Sequence, residues 1–232
     1  MIKVRVAQSR GHTQLDWLDS FHSFSFGEYY DPQQMGFSHL RVINEDRVGP
    51  GKGFDVHGHR DMEIISYVIK GELAHKDSLG NGSIIRPGEI QRMSAGAGIR
   101  HSEYNPSKTE KVHFLQIWIM PNQVGLEPGY EQKTISVVQN QWIVLASPDP
   151  QNSLITVHQD VSLHLAHLSQ SRSLEYEFAP QRCGWVQMIK GEINLNGVVL
   201  RKGDGAAIVN EGLAQITCIE DAELLLFDLH EH

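Results

Sequence analysis

Cysteine is nearly absent from this 232-residue chain: Cys183 and Cys218 are the only two. They are too few for a disulfide framework and form no CxxC zinc pattern, so both are expected to be reduced, buried thiols. No apolar run approaches the roughly 18 residues of a membrane span, and Met1-Ile2-Lys3-Val4-Arg5 lacks the apolar core of a signal peptide. The expectation is a cytoplasmic protein with no membrane partner. Positive charge is also short. Lys and Arg number 20 against 28 Asp and Glu, for a formal net charge of -8, which argues against a nucleic-acid or acidic-membrane surface. A long apolar stripe of helical period is missing too.

What is present is a series of short alternating segments punctuated by Gly, Pro, Asn and Asp. Residues 112–120 put Val112, Phe114, Gln116, Trp118 and Met120 on one face and His113, Leu115, Ile117 and Ile119 on the other, the pattern of a buried strand. Segments 64–69, 83–86, 185–189, 198–201 and 223–229 read similarly. Between them stand Lys70-Gly71-Glu72, Lys190-Gly191-Glu192 and the Asn-Gly pairs at 81–82 and 196–197, and Asn-Gly between apolar runs signals a hairpin. The chain is expected to be mostly β.

It also repeats itself. Val68-Ile69-Lys70-Gly71-Glu72-Leu73 recurs as Met188-Ile189-Lys190-Gly191-Glu192-Ile193, and the Asn81–Glu89 stretch recurs as Asn196–Asp204, with its Arg-x-Gly-acid turn. Two copies in the same order imply two versions of one β-barrel. The pattern breaks near residues 122–140, at Pro121-Asn122, Gly125 and Pro128-Gly129. This predicts an N-terminal barrel over 1–125 and a C-terminal barrel over 126–232.

Two short pairs carry the chemistry: His57-Gly58-His59 and His101-Ser102-Glu103. Side chains two apart share a face on a strand but diverge by about 200° on a helix. On two strands lining one interior, three imidazoles and a carboxylate can converge on a first-row divalent metal rather than on Ca²⁺ or Mg²⁺. Glu63 follows His59 by four residues, so alternation puts it on the ligand face as the other candidate carboxylate. His113 reads as a satisfied core or supporting histidine. Carrying the repeat offsets across, Glu177 and Ala179 stand opposite His57 and His59, and Ile216 and Cys218 opposite His101 and Glu103, so the second copy lacks the ligand set. The His230-Glu231-His232 group is terminal. Ala95-Gly96-Ala97-Gly98 reads as a tight turn that lets the His101 strand approach the metal, not as a dinucleotide loop. Phe21, Phe24, Phe26, Tyr29 and Tyr30 are core aromatics that could also stack a planar substrate.

The spacing of Gly51, His57, His59 and Glu63, and of Gly98, His101 and Asn105, resembles the two motifs of the cupin superfamily, with Gly96 where its second motif has Pro. Finer features resemble the pirin family: Phe21-His22-Ser23-Phe24-Ser25-Phe26, Leu40-Arg41-Val42-Ile43-Asn44, His57 through Ile64, Gly98 through Pro106, and Gln116-Ile117-Trp118. The likeness covers most of residues 10–120, and the degenerate second half suits a two-barrel bicupin. It implies one metal, usually iron with Mn, Ni, Cu or Zn as alternatives, held by His57, His59, His101 and Glu103, with Glu103 in place of the generic cupin carboxylate at Glu63. Bacterial members are associated with quercetin 2,3-dioxygenase activity and eukaryotic members with nuclear transcription cofactors. The resemblance therefore implies a dioxygenase that cleaves quercetin or a related flavonol with O2 and releases carbon monoxide, Glu103 being the candidate catalytic base. The alternative is a metal- or redox-sensing protein that works through a protein partner. A monomer is expected.

Overall fold

The computed structural model describes residues 1–231, and Glu231 is the last of the expected terminal group to lie within them. Among the described residues no helix is long and apolar enough to cross a membrane. Among these residues one 3-10 turn, Ala7–Ser9, stands beside the β-strands, and the strands pair antiparallel. The mostly-β expectation holds, with the sheets open at their edges rather than closed into hydrogen-bonded cylinders.

Two compact units form. One comprises residues 11–135 and 155–159; the other comprises residues 1–10, 136–154 and the chain from 160 onward. This differs from the predicted division at 125/126. Ile2–Arg5 pairs with Gly205–Ile208, and Gly129–Thr134 pairs with Glu89–Ser94; partners distant in sequence, invisible to local pattern, decide where these edge strands belong.

In the unit built from residues 11–135, a seven-stranded sheet runs Gly129–Thr134, Glu89–Ser94, Glu63–Lys70, Val112–Ile119, Leu40–Val48, Leu18–His22, Gly11–Gln14. A four-stranded sheet runs Gly53–His59, Ile99–Tyr104, Leu73–Asp77, Gly82–Ile85. The two face each other over a core that includes Val48, Val68, Val112 and Phe114 from the larger sheet and Leu73 and Ile85 from the smaller, all buried. Val112–Ile119 is flanked on both sides by paired strands, as its two-faced apolar pattern requires.

In the other unit Leu213–His230 pairs with Val161–Leu168, Ser173–Glu177 and Arg182–Leu195. Its interior is closed by Val186, Met188, Ile193, Leu224 and Leu226, among others. Ile216 and Cys218 lie on this buried face. Their strand meets Leu174 opposite Ile216 and Tyr176 opposite Ala214, so the positions answering to His57 and His59 are Leu174 and Tyr176 rather than Glu177 and Ala179. A gap before the repeat, to which the offset was blind, accounts for the shift. Both thiols are free and buried, and burial pushes both pKa values up, Cys183 to about 11.

Candidate metal centre

Two neighbouring strands of the four-stranded sheet present the histidines. His57 pairs with His101 and His59 with Ile99, while Glu103 pairs with Phe54, so the Gly53–His59 strand carries one extra residue between these pairs. This is a β-bulge, which bends a strand and re-aims its side chains. The strands pack so closely there that a Cβ on Gly53 would stand 2.1 Å from the Glu103 carbonyl oxygen. Upstream, Gly96 sits at φ 46°, where a Cβ would meet the Leu126 carbonyl oxygen at 2.1 Å. The Ala95–Gly98 turn thus delivers His101 in the way its sequence suggested.

His57 Nε2 and His59 Nε2 each lie 3.0 Å from His101 Nε2. Two nitrogens bound at right angles to one ion at about 2.1 Å stand about 3.0 Å apart, so the three imidazoles fit a first-row divalent metal. Burial lowers the pKa of His59 to about 4 and of His101 to about 2, with neighbouring histidines adding to the effect. The rings are therefore neutral at pH 7 and can offer lone pairs. The His57 Nδ1–H donates to the Asp55 carbonyl oxygen at 2.7 Å, which leaves Nε2 as its free donor atom.

Behind His101 lies a chain of buried groups. His101 Nδ1 faces His75 Nδ1 at 3.5 Å, and His75 Nε2 lies 3.2 Å from Asp77 Oδ2. Burial alone would raise the Asp77 pKa, but hydrogen bonds from Asn81, His75 and Leu79 outweigh it and the net shift is downward. A charged Asp77 holds the proton of His75 on Nε2. His75 Nδ1 can then accept from His101, leaving His101 Nε2 for a metal.

Glu103 is buried and faces the same cavity as the three histidines. Its Oε1 accepts from Gln116 Nε2 at 2.7 Å and from Ser66 Oγ at 3.3 Å, both on the larger sheet. Burial raises its pKa to about 7, with Asp46 adding repulsion and the hydrogen bonds opposing. Its ligand-type neighbours within 4.8 Å are His75 and His101. Glu63 is elsewhere. Asp61, at φ 50°, ends the strand alternation after His59, and Glu63 opens a strand of the other sheet, where Ser94 donates to it at 3.0 Å and Arg92 and His158 lie at 3.9 and 3.3 Å. The expectation that it shares the ligand face is corrected. His113 pairs with Glu45 at 2.9 Å, a satisfied histidine.

The cavity over these groups has a volume of about 250 Å³. Trp118 packs edge-on to His59 at 5.0 Å and Phe26 edge-on to Trp118 at 5.4 Å. Of the aromatic run, Phe26 reaches the cavity while Phe24 is core and Tyr30 is exposed.

The Pirin family model matches residues 3–119. The chain belongs to the pirin family. A model described as the quercetinase C-terminal cupin domain matches residues 144–229, so both halves are cupin domains. Quercetin 2,3-dioxygenase of Escherichia coli strain K12 is 49% identical over 229 residues, covering 99% of each chain. The crystal structure of YhhW from Escherichia coli superposes with a TM-score of 0.98 at 47% identity, over 100% of this chain and 99% of that one. The bacterial pirin YhhW from Escherichia coli in complex with nickel(II) gives 0.97 at 47% identity over the full length of both. The family membership and the two-cupin fold expected from the motifs stand.

Sequence reasoning missed His75, Asp77, Asp46 and Asn44. The first two form an alternating pair, His75-Lys76-Asp77, and could have been noticed as a third inward-facing polar pair. Asn44 was noted only as the end of the Leu40–Asn44 stretch that carries the family likeness, and Asp46 follows it two residues on in the Asn-Glu-Asp-Arg run of the same strand.

Proposed function

We propose that this pirin is a metal-dependent dioxygenase that opens quercetin or a related flavonol with O2 and releases carbon monoxide. The observation that carries the reading is the convergence of His57, His59 and His101 at 3.0 Å on the wall of a cavity that Glu103 also lines. Full-length similarity to a quercetin 2,3-dioxygenase supports the substrate class. His57, His59, His101 and Glu103 are the proposed ligands, and iron is the proposed metal, with Mn, Ni, Cu or Zn behind it; the nickel(II) complex of YhhW supports a divalent ion in such a fold. A metal bound there supplies Lewis acidity and access to O2 chemistry.

The chain's own residues do the rest. Glu103, buried on the cavity wall beside the histidines, is the group that accepts the proton of the flavonol 3-hydroxyl. Gln116 and Ser66 hold its carboxylate in place. Trp118 and Phe26 enclose a planar ring and exclude water. O2 is the second substrate. The proposed setting is the cytoplasm, with the protein acting as a monomer.

The test is metal analysis of protein purified without added metal, followed by O2 uptake and carbon monoxide release with quercetin and with its 3-deoxy analogue. Turnover of quercetin alone supports the proposal. A metal-loaded protein that consumes no O2 with quercetin overturns it and points to the sensing role.

A further inference from the structure

The inner face of a β-sandwich is ordinarily apolar, yet the seven-stranded sheet turns two adjacent rows of polar side chains inward. Across one row stand Ser66, Gln116, Asn44 and His22, each directly opposite the next. In the other, Asp46, Ser20 and Thr13 succeed one another beside Phe114. Asn44 and Asp46 are each only 3% exposed. Burying polar groups is costly unless they are hydrogen-bonded.

Most of the rows are so bonded. His22 Nδ1 lies 2.8 Å from Asn44 Oδ1, His22 Nε2 lies 2.9 Å from Thr13 Oγ1, and the Ser20 hydroxyl donates to Asp46 Oδ1. Two atoms are left over. Asp46 Oδ2 and Asn44 Nδ2 have no hydrogen-bond partner among the described residues, and neither is a sealed, unsatisfied atom. Both residues line the cavity. They stand two apart on one strand, about 7 Å between their Cα atoms, so their side chains offer an acceptor beside a donor.

We propose that Asp46 and Asn44 form a recognition wall for adjacent hydroxyls on an aromatic ring, one hydroxyl donating to Asp46 Oδ2 and its neighbour accepting from Asn44 Nδ2. The inference rests on the reading of the cavity as a flavonol site and names a specificity determinant within it. Neither residue is a proposed metal ligand.

The test uses metal-loaded protein under argon, where no turnover occurs. Quercetin, with a catechol ring, is compared with galangin, a flavonol lacking those hydroxyls, by tryptophan quenching and calorimetry. The wild type is expected to bind quercetin at least about tenfold more tightly. Asp46→Ala and Asn44→Ala are each expected to weaken quercetin by about tenfold, leave galangin within about twofold, and leave metal content unchanged. Asn44→Ala alone decides the matter if Asp46→Ala does not fold. Equal loss for both ligands, no preference in the wild type, or no binding of either ligand overturns the wall. Oxygen uptake in air is read separately. Catechol-selective binding without turnover sinks the dioxygenase reading and leaves the wall standing; turnover without that selectivity does the reverse.

Discussion

Gln116 Nε2 donates to Glu103 Oε1 across 2.7 Å, joining the two facing sheets at the floor of the cavity. Glu103 comes from the smaller sheet and Gln116 from the larger, so the position of the carboxylate depends on how the sheets pack. Replacing Glu103 with Gln keeps the shape and removes the charge. If Glu103 is a ligand, metal retention in the dialysed protein falls; if it acts only as a base, metal content holds and turnover drops by about 10² to 10⁴. Gln116→Leu is expected to weaken metal retention less than Glu103→Gln. Normal activity and metal content in Glu103→Gln would remove both roles.

His57→Ala and His101→Ala are each expected to lose the single equivalent of metal together with activity. The β circular dichroism signal and cooperative melting should persist, because a unit with this apolar core does not depend on a metal to fold. A second equivalent bound with similar affinity in the wild type, read by elemental analysis after gel filtration, would contradict the single site.

The His75–Asp77 pair, lined up behind His101, is expected to act on metal affinity rather than on turnover at saturating metal. His75→Phe removes the acceptor facing His101 Nδ1 and is expected to weaken metal binding about 10- to 100-fold. Competition with a coloured chelator measures this directly, and activity at saturating metal should recover. Unchanged affinity would show that His101 needs no such support.

Glu63 is predicted to be structural. Glu63→Gln breaks a buried cluster with Arg92, Ser94 and His158 and is expected to cost about 1 to 3 kcal/mol, seen as a lower midpoint in urea. Metal content should stay at the wild-type level. Loss of metal at unchanged stability would restore Glu63 as a ligand candidate.

His164 is expected to make the stability of the other unit sensitive to acid. Burial lowers its pKa from 6.5 to about 4, against the pull of Asp228. Because the folded value lies below the unfolded one, the unfolded chain binds more protons between these pH values. The stability His164 contributes is therefore present above about pH 6.5 and is lost as pH falls towards 4. His164→Gln is expected to flatten that part of the stability profile, measured as urea midpoints between pH 4 and 7. An unchanged slope would assign the acid sensitivity to other groups.

The local pattern of the chain was enough for its class. Period-two apolarity in residues 112–120, glycine turns and the recurring Ile-Lys-Gly-Glu segment were legible because strand alternation and turn chemistry are near-neighbour properties. The HxH and HxE pairs were legible for the same reason, since a two-residue spacing puts both side chains on one face of whatever strand they occupy. Glu63 was misread because a single left-handed residue, Asp61, resets alternation, and nothing in the local spacing announces it. The edge strands at Ile2–Arg5 and Gly129–Thr134 were misassigned because their partners lie far away in sequence. Only the tertiary structure brought Gln116, Asp46 and Asn44 to the same cavity as the histidines and set Ser66 against Glu103. Which polar groups share a cavity depends on which sheet faces which, and that is a property of packing rather than of sequence spacing.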